Sequence, residues 1–139
     1  MSIKFEKIIP TQDQIDKLFH LLKNRTYSIS HKKIPSEKKH FEFVSQHPYR
    51  IWYLIYRKKS LAGSVYIHTD NSIGINLNEY HENEVFLVIK YIKDNHSPLP
   101  SIKSVRREDF FINVAAKNSK LLKILKKLDT NEIQRSFIL

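Results

Sequence analysis

The sequence predicts an α/β domain in which a mixed, mostly antiparallel central sheet is flanked by helices. The first observation is a run of three strand patterns between residues 50 and 78, joined by two short polar turns. The second is a set of four segments with apolar residues at helical spacing, two before these strands and two after them. A chain of 139 residues suits one domain with a proper core, so we predict a single domain over residues 1–139.

The three consecutive strands are predicted at Arg50–Arg57, Leu61–Thr69 and Ile73–Leu77. The first is almost wholly β-branched or aromatic, and the other two alternate between the two faces of a sheet. Asp70 and Asn71 favour the second turn, because their side chains can bond their own backbone. Both glycines of the chain lie in these strands, which predicts a bulge or a close backbone approach.

The chain before these strands is predicted to form a short edge strand at Ile3–Ile9 and helices at Gln12–Leu22 and Glu37–Ser45, joined by a polar loop. Thr11 and Gln14 have the spacing of a capping box at the start of the first helix. The residues expected to face the core from the two helices are Ile15, Leu18, Phe19, Leu22, His40, Phe41 and Val44.

After the three strands we predict a buried helix at Glu82–Asn95 and a proline-containing loop at His96–Arg107. Asp109–Ala115 is strongly apolar and is expected to be an interior strand, and Ile133–Leu139 is expected to close the chain as a last strand. Between them, Asn118–Leu128 predicts an amphipathic helix. The residues expected to face inward from this helix are Leu121, Leu122, Leu125 and Leu128.

The formal net charge of +10 favours polyanionic partners, although a solvated, lysine-rich surface explains it equally simply. A nucleic-acid-binding module is disfavoured, because the aromatic residues Trp52, Tyr53 and Tyr56 lie within an apolar strand and have the pattern of a core. Apolar runs such as Val85–Ile89 are too short to span a bilayer, so no membrane partner is expected. With no secretory signal pattern, we expect a cytoplasmic protein. There is no cysteine, and the histidines lack ligand spacing, so no metal site is predicted.

Three stretches of this sequence resemble one family of enzymes. They are NVAAKNSKLLKILKKLDT (Asn113–Thr130), SIGINLNEYHENEVFLVIKYI (Ser72–Ile92) and SEKKHFEF (Ser36–Phe43). Together with the order of predicted elements, they resemble the GNAT superfamily of acyl-CoA-dependent N-acetyltransferases, over roughly Lys4 to Leu139. The resemblance implies an acetyl group transferred from acetyl-CoA, the co-substrate, to a small-molecule amine or amino sugar.

The resemblance also implies which residues bind the co-substrate. Backbone groups at the end of the third strand would bond the pantetheine arm, and the next loop and helix start would hold the pyrophosphate. The residues so implied are Ile75, Asn76, Leu77, His81, Glu82, Asn83, Glu84, Val85, Phe86 and Asn118. Asn118 also has the position of an ordinary helix N-cap.

The sequence departs from the family in the phosphate loop, which usually reads Gln/Arg-x-x-Gly-x-Gly/Ala. The corresponding residues here are His81, Glu84 and Phe86, so both glycines are absent. Glu82 and Glu84 are expected to repel the pyrophosphate, and we predict weaker CoA binding than in a relative with the glycines. Leu125 stands where many members of the family have a tyrosine general acid.

Three residues are candidates for catalysis. Glu79 and Tyr80 follow the third strand, where a carboxylate or phenol would face the acyl group; they are equally well explained as a loop-forming pair. His40 is a candidate base, and a partly buried structural histidine is the simpler alternative. The sequence thus favours an N-acetyltransferase, with an inactive scaffold of the same fold as the main alternative.

Overall fold

The computed structural model describes residues 2–25 and 33–139, which form a central sheet with helices on both faces. The predicted fold class is confirmed. Most of the predicted loop between the first two helices lies outside the described residues. In chain order the elements are β1 (Ile3–Lys7), α1 (Gln12–Lys23), α2 (Glu37–Ser45), β2 (Ile51–Arg57), β3 (Ser60–Ile67), β4 (Ser72–Leu77), α3 (Glu82–Asn95), β5 (Phe111–Ile112) and α4 (Ser119–Lys127).

The five strands lie side by side in sequence order, and β1 to β4 are antiparallel to their neighbours. The predicted edge strand and the three-stranded meander are therefore confirmed. Only β5 is parallel, and it pairs with β4 at Ser72 and Ile73 alone. Beyond Ile73, this edge of β4 faces no strand in the described part of the chain.

Both glycines lie where another group comes too close for a side chain, as their place inside strands predicted. A Cβ at Gly63 would collide with the backbone carbonyl of Asn76 on β4. The pairing of β2 and β3 shifts beside this glycine, which marks a β-bulge. A Cβ at Gly74 would enter the ring of Tyr66, so this ring lies directly over the β4 backbone.

Alternate residues of each strand pack in two separate cores, one on each face of the sheet. On one face, Ile73, Ile75 and Leu77 of β4 pack in a cluster with α3 and α4. On the other face, Trp52 and Leu54 pack against α1 and α2. Asn76 therefore lies on the α1 and α2 face, while its two neighbours in sequence lie on the α3 face.

The turn before β4 shows why Asp70 and Asn71 stand together. The Asp70 carboxylate accepts from the backbone N–H of Ser72 at 2.8 Å, which is the local bond that the sequence predicted. Asn71 is buried, and its side-chain amide donates to the carbonyls of Leu99 and Arg107 at 2.9 and 2.8 Å. The predicted loop from 96 to 107 is confirmed, and Asn71 attaches it to the sheet.

The capping box of α1 forms only in part. Thr11 accepts from the backbone N–H of Gln14 at 3.2 Å, as predicted. The Gln14 side chain is instead buried, where it accepts from Ile9 N at 2.8 Å and donates to Lys7 O at 3.0 Å. These two bonds satisfy backbone groups at and just after the end of β1, and they thereby attach this stretch of chain to the first turn of α1.

The helical spacing identified the core-facing side of each helix, with one wrong residue on α2 and two residues on α4 that are less buried than expected. Phe41 was expected to face the core from α2, but its side chain is 46% exposed. His40 and Val44 are buried as predicted. On α4, Leu121 and Leu125 are buried, whereas Leu122 and Leu128 are only half-buried. Ile124 takes their place in the core, because the buried stripe of α4 lies slightly to one side of the predicted one.

Two strand predictions near the C-terminus were wrong. The segment Asp109–Ala115 contributes only the two-residue β5, which is half-buried at the edge of the sheet and not interior. Ile133–Leu139 forms no strand, and Phe137 and Ile138 are 82% and 87% exposed. Apolar content favours a strand, but a strand also requires a neighbouring backbone edge. Among the described residues none pairs with this segment.

Candidate active site

The open stretch of the β4 edge is the first part of the candidate site. In the antiparallel pairing, the backbone groups of Asn76 and Asn78 are directed toward β3, so those of Ile75 and Leu77 are directed away from it. Asn113 N–H donates to the carbonyl of Ile73 at 3.3 Å, and β5 pairs no further along the edge. An extended ligand with amide groups would find here backbone groups that no strand pairs with.

Tyr80 places its hydroxyl on this open stretch. The hydroxyl accepts from Leu77 N–H at 3.3 Å and donates to Ile75 O at 3.4 Å. It therefore bonds the two backbone groups that a pantetheine arm would use. An arm that pairs with both groups has to displace the phenol, which would then lie beside it.

The N-terminus of α3 is the second part of the site. His81 is the N-cap residue, and no side chain caps the helix there. The first intrahelical bond runs from Val85 N–H to His81 O at 3.0 Å. The backbone N–H groups of the first turn come before this bond and therefore have no partner within the helix. Such groups, together with the helix dipole, favour an anion at this end.

The structure corrects the expectation that Glu84 is a bare charge beside a pyrophosphate. The Glu84 side chain is only 1% exposed and accepts two bonds from Arg57, at 2.5 Å from Nε and 2.6 Å from Nη2. These bonds hold the pKa of the Glu84 carboxyl below its ordinary value of 4.5, even though burial opposes the shift. Arg57 also donates to the Asn78 side chain at 3.2 Å. Glu84 thus attaches the start of α3 to the sheet.

The other carboxylates near the start of α3 also have partners. Glu82 lies 3.7 Å from the ammonium of Lys127 on α4, and Glu79 lies 3.0 Å from Nε2 of His81. The Lys127 contact brings the end of α4 beside the first turn of α3. The expected repulsion of an anion by Glu84 is therefore opposed by its buried pair with Arg57, and that by Glu82 is reduced only weakly by the exposed contact with Lys127.

The remaining residues implied at the helix start divide between core and surface. Val85 is fully buried in the core, and its side chain is not available to a ligand. Asn83 is exposed, and Phe86 is 51% exposed, so the bulky ring of Phe86 lies at the surface. Asn118 is buried and accepts from Leu121 N–H at 3.2 Å, which makes it the N-cap of α4.

His40 lies apart from Glu79 and Tyr80. It is 5% exposed, and its Nε2 donates to the carbonyl of Ile15 at 3.1 Å, which joins α2 to α1. Burial lowers the pKa of this imidazole, so its neutral form predominates at pH 7. Within the described part of the chain, no hydrogen bond joins His40 to the other two candidates.

A cavity of about 240 Å³ opens on the α1 and α2 face of the sheet. Tyr49, Trp52 and Tyr66 supply aromatic walls, with the rings of Tyr49 and Tyr66 stacked at 4.0 Å between centroids. His40 and Asn76 also line it. Because Asn76 belongs to β4, the cavity reaches this strand from the α1 and α2 face of the sheet. The sequence analysis missed Tyr49 and Tyr66 as site residues, because their pattern does not distinguish a cavity wall from a core.

Comparisons with solved structures establish the fold. A domain from Methanocaldococcus jannaschii matches with a TM-score of 0.66 at 14% identity, over 97% of this chain and 92% of that one. AAC(6')-Iy in complex with the bisubstrate analogue CoA-S-monomethyl-acetylneamine matches with a TM-score of 0.60 at 9% identity, over 100% and 97%. An aminoglycoside acetyltransferase from an uncultured soil metagenomic sample matches with a TM-score of 0.59 at 12% identity, over 100% and 98%.

The chain therefore has the fold of the GNAT acetyltransferases, as its sequence predicted. No family profile matches the sequence, and no curated protein sequence matches it. Among the described residues, no three His, Asp or Glu side chains are grouped so as to bind a metal ion. Likewise, no helix in residues 2–25 or 33–139 is long and apolar enough to cross a membrane.

Proposed function

We propose that this protein is an N-acetyltransferase that transfers an acetyl group from acetyl-CoA to the amine of a small molecule. One observation carries the proposal: an open stretch of the β4 edge ends beside the uncapped N-terminus of α3. The first can pair with the amides of a pantetheine arm, and the second can receive a pyrophosphate. The distant likeness to acetyltransferases supports the same assignment.

In this proposal the backbone does most of the binding. Leu77 N–H and Ile75 O pair with the arm after the Tyr80 hydroxyl has moved aside. The N–H groups of the first turn of α3 bind phosphate oxygens, and Lys127 of α4 lies beside this turn as a cation. The ion pair with Arg57 neutralises Glu84, so this buried carboxylate does not repel a phosphate at the helix start.

The reaction itself requires few groups. The amine nitrogen forms a bond to the acetyl carbon, the carbon–sulfur bond breaks, and one proton passes from the amine to the departing thiolate. Tyr80 is the candidate that touches the edge where the thioester would lie, and its phenol can relay this proton by giving one to the thiolate and regaining one from the amine. Glu79 is exposed and paired with His81, and His40 is placed in the cavity wall.

An inactive scaffold with the same fold remains the second candidate, and Tyr80 is the observation that favours it. Its hydroxyl already satisfies the two backbone groups of the edge, so these groups need no ligand as a hydrogen-bond partner. If this were its permanent state, neither acetyl-CoA nor CoA would bind.

Release of thiol from acetyl-CoA separates the two candidates. The chain has no cysteine, so a thiol reagent reports free CoA without a background from the protein. We expect thiol release that requires the protein, acetyl-CoA and an added amine, and that falls strongly in Tyr80→Phe. Release that is independent of amine, or no release with any amine of a broad panel, would contradict the proposed transfer.

A further inference from the structure

The charged side chains that line the cavity beside β4 in the described structure are positive. Among the described residues, its lining includes the cationic side chains of Arg25 and Lys39 and no acidic residue. Residues 26–32, which follow Arg25 in the sequence, contain neither Asp nor Glu. The walls are otherwise aromatic or aliphatic, as described above. A cavity of this kind complements a ligand with an anionic group and an apolar body.

Arg25 is the group that most needs an anion. Arg25 lies in the cavity wall, where burial lowers the pKa of its guanidinium and the phenols of Tyr49, Tyr66 and Tyr80 partly oppose the shift. A partly desolvated cation is costly without a counter-charge, and a carboxylate can accept two parallel bonds from a guanidinium. A ligand carboxylate would therefore be bound strongly at this position.

Trp52 provides a second, independent observation. The side chain lines the cavity and is only 6% exposed, and its indole N–H has no hydrogen-bond partner in the described structure. Buried N–H groups without partners are uncommon, and a ligand acceptor is one way to satisfy them. The cavity wall thus holds a buried donor, Trp52, that a ligand acceptor can satisfy, and a cation, Arg25, that a ligand anion can pair with.

Size limits the ligand further. The cavity volume of about 240 Å³ lies below the roughly 300–1,000 Å³ of sites for drug-sized molecules. It suits a molecule with one ring and a short polar chain, and it is small for several linked sugars. A polycation such as an aminoglycoside would in addition be repelled by Arg25 and Lys39.

We infer that the acceptor of the proposed transfer is a small amine that also carries a carboxylate and an aromatic or aliphatic body, bound in the cavity between Arg25 and Asn76. The inference rests on the proposed function for the reaction, but the binding site itself stands on the cavity. With the carboxylate at Arg25, the amino group is left to face β4, where Asn76 lines the same cavity. Aminoglycosides are excluded by this chemistry.

Calorimetric titration tests the inference without any transfer reaction. The probes are phenylalanine, phenylalaninamide, which keeps the ring and amine but lacks the carboxylate, and neamine, which is polycationic. Each is titrated into the whole protein with and without acetyl-CoA. We expect phenylalanine to bind about tenfold more tightly than its amide and neamine not to bind, because a charge-assisted bidentate contact is lost.

Variants assign the effect to the cavity. Arg25→Gln should abolish the preference for the carboxylate, and Lys39→Gln should reduce it. Lys38→Gln removes the same charge from the neighbouring position of α2, outside the cavity lining, and should leave the preference intact. Melting temperatures check that every variant is folded.

The outcomes separate this inference from the proposed function. Equal binding of acid and amide, tighter binding of neamine, or no amine binding to a protein that binds acetyl-CoA would overturn the inference alone. Carboxylate-selective binding by a protein that does not bind acetyl-CoA would support the cavity assignment and overturn the transferase.

Discussion

Arg57 at the end of β2 and Glu84 in the first turn of α3 form a two-bond ion pair beneath the candidate phosphate site. The pair fixes the start of the helix relative to the sheet, and Arg57 extends the connection to Asn78 after β4. The Glu84 carboxylate is thus a structural anchor of the helix start. This relationship changes what substitution of Glu84 is expected to do.

Arg57→Gln should lower the free energy of unfolding by about 3 kcal/mol at pH 7, near the lower end of the roughly 3–5 kcal/mol for breaking a buried pair. The lower end applies because the Arg57 side chain is 23% exposed, whereas Glu84 is left buried without its partner. Urea denaturation measures the change. Arg135→Gln breaks an exposed pair with Glu132 and should change stability by less than about 0.5 kcal/mol.

The same pair predicts a pH dependence of stability. Arg57 holds the pKa of Glu84 below 4.5 in the folded protein, so the pair's contribution is present above pH 4.5 and is lost as the pH falls through that lower value. Without Arg57, burial raises the pKa of Glu84, and its protonation relieves the cost as the pH falls. The deficit of Arg57→Gln should therefore shrink between pH 7 and pH 4. A deficit that is constant over this range would show that Glu84 is not its source.

Tyr80→Phe should free the edge groups of Ile75 and Leu77 and remove the candidate acid. We expect the KM for acetyl-CoA to fall severalfold, as suits one displaced hydrogen bond, and kcat to fall about 100-fold. Steady-state kinetics separate the two effects. Tyr56→Phe removes a phenol that bonds Lys17 on the α1 face, and should leave both constants near those of the wild type. Unchanged kinetics in Tyr80→Phe would remove this residue from the site.

Leu125→Ala should destabilise the protein by about 2–5 kcal/mol, the usual range for truncating a core leucine. Leu125 is 8% exposed and packs in the core between α4 and the sheet. Leu122→Ala makes the same change at a half-buried position of the helix and should cost less. A loss below about 1 kcal/mol at Leu125 would mean that this residue does not contribute to the core.

Local patterns predicted most of the fold because they report directly on burial and turns. The alternation in β3 and β4, the turn at Asp70 and the cap at Thr11 all act within a few residues of chain. The segment Ile133–Leu139 has a strand-like composition, but its structure depends on a distant backbone edge. No periodicity carries that information.

The candidate site was predictable only in part. The resemblance selected Ile75, Leu77 and Tyr80, which the structure joins by hydrogen bonds. The partner of Glu84 is 27 residues away in sequence, and a charge pattern does not reveal such a contact. Arg25 was likewise missed, because a single arginine before a loop has no distinguishing signal until the cavity is seen.

Titration of the whole protein with acetyl-CoA tests the central claim most directly. We predict saturable binding that is weakened severalfold in Lys127→Glu, which reverses the charge beside the first turn of α3. Lys126→Glu makes the same change in net charge at the neighbouring exposed position of α4 and should bind like the wild type at equal ionic strength. No saturable binding of acetyl-CoA by the wild type, or equal weakening in both variants, would contradict the assignment of this edge and helix start as the acetyl-CoA site.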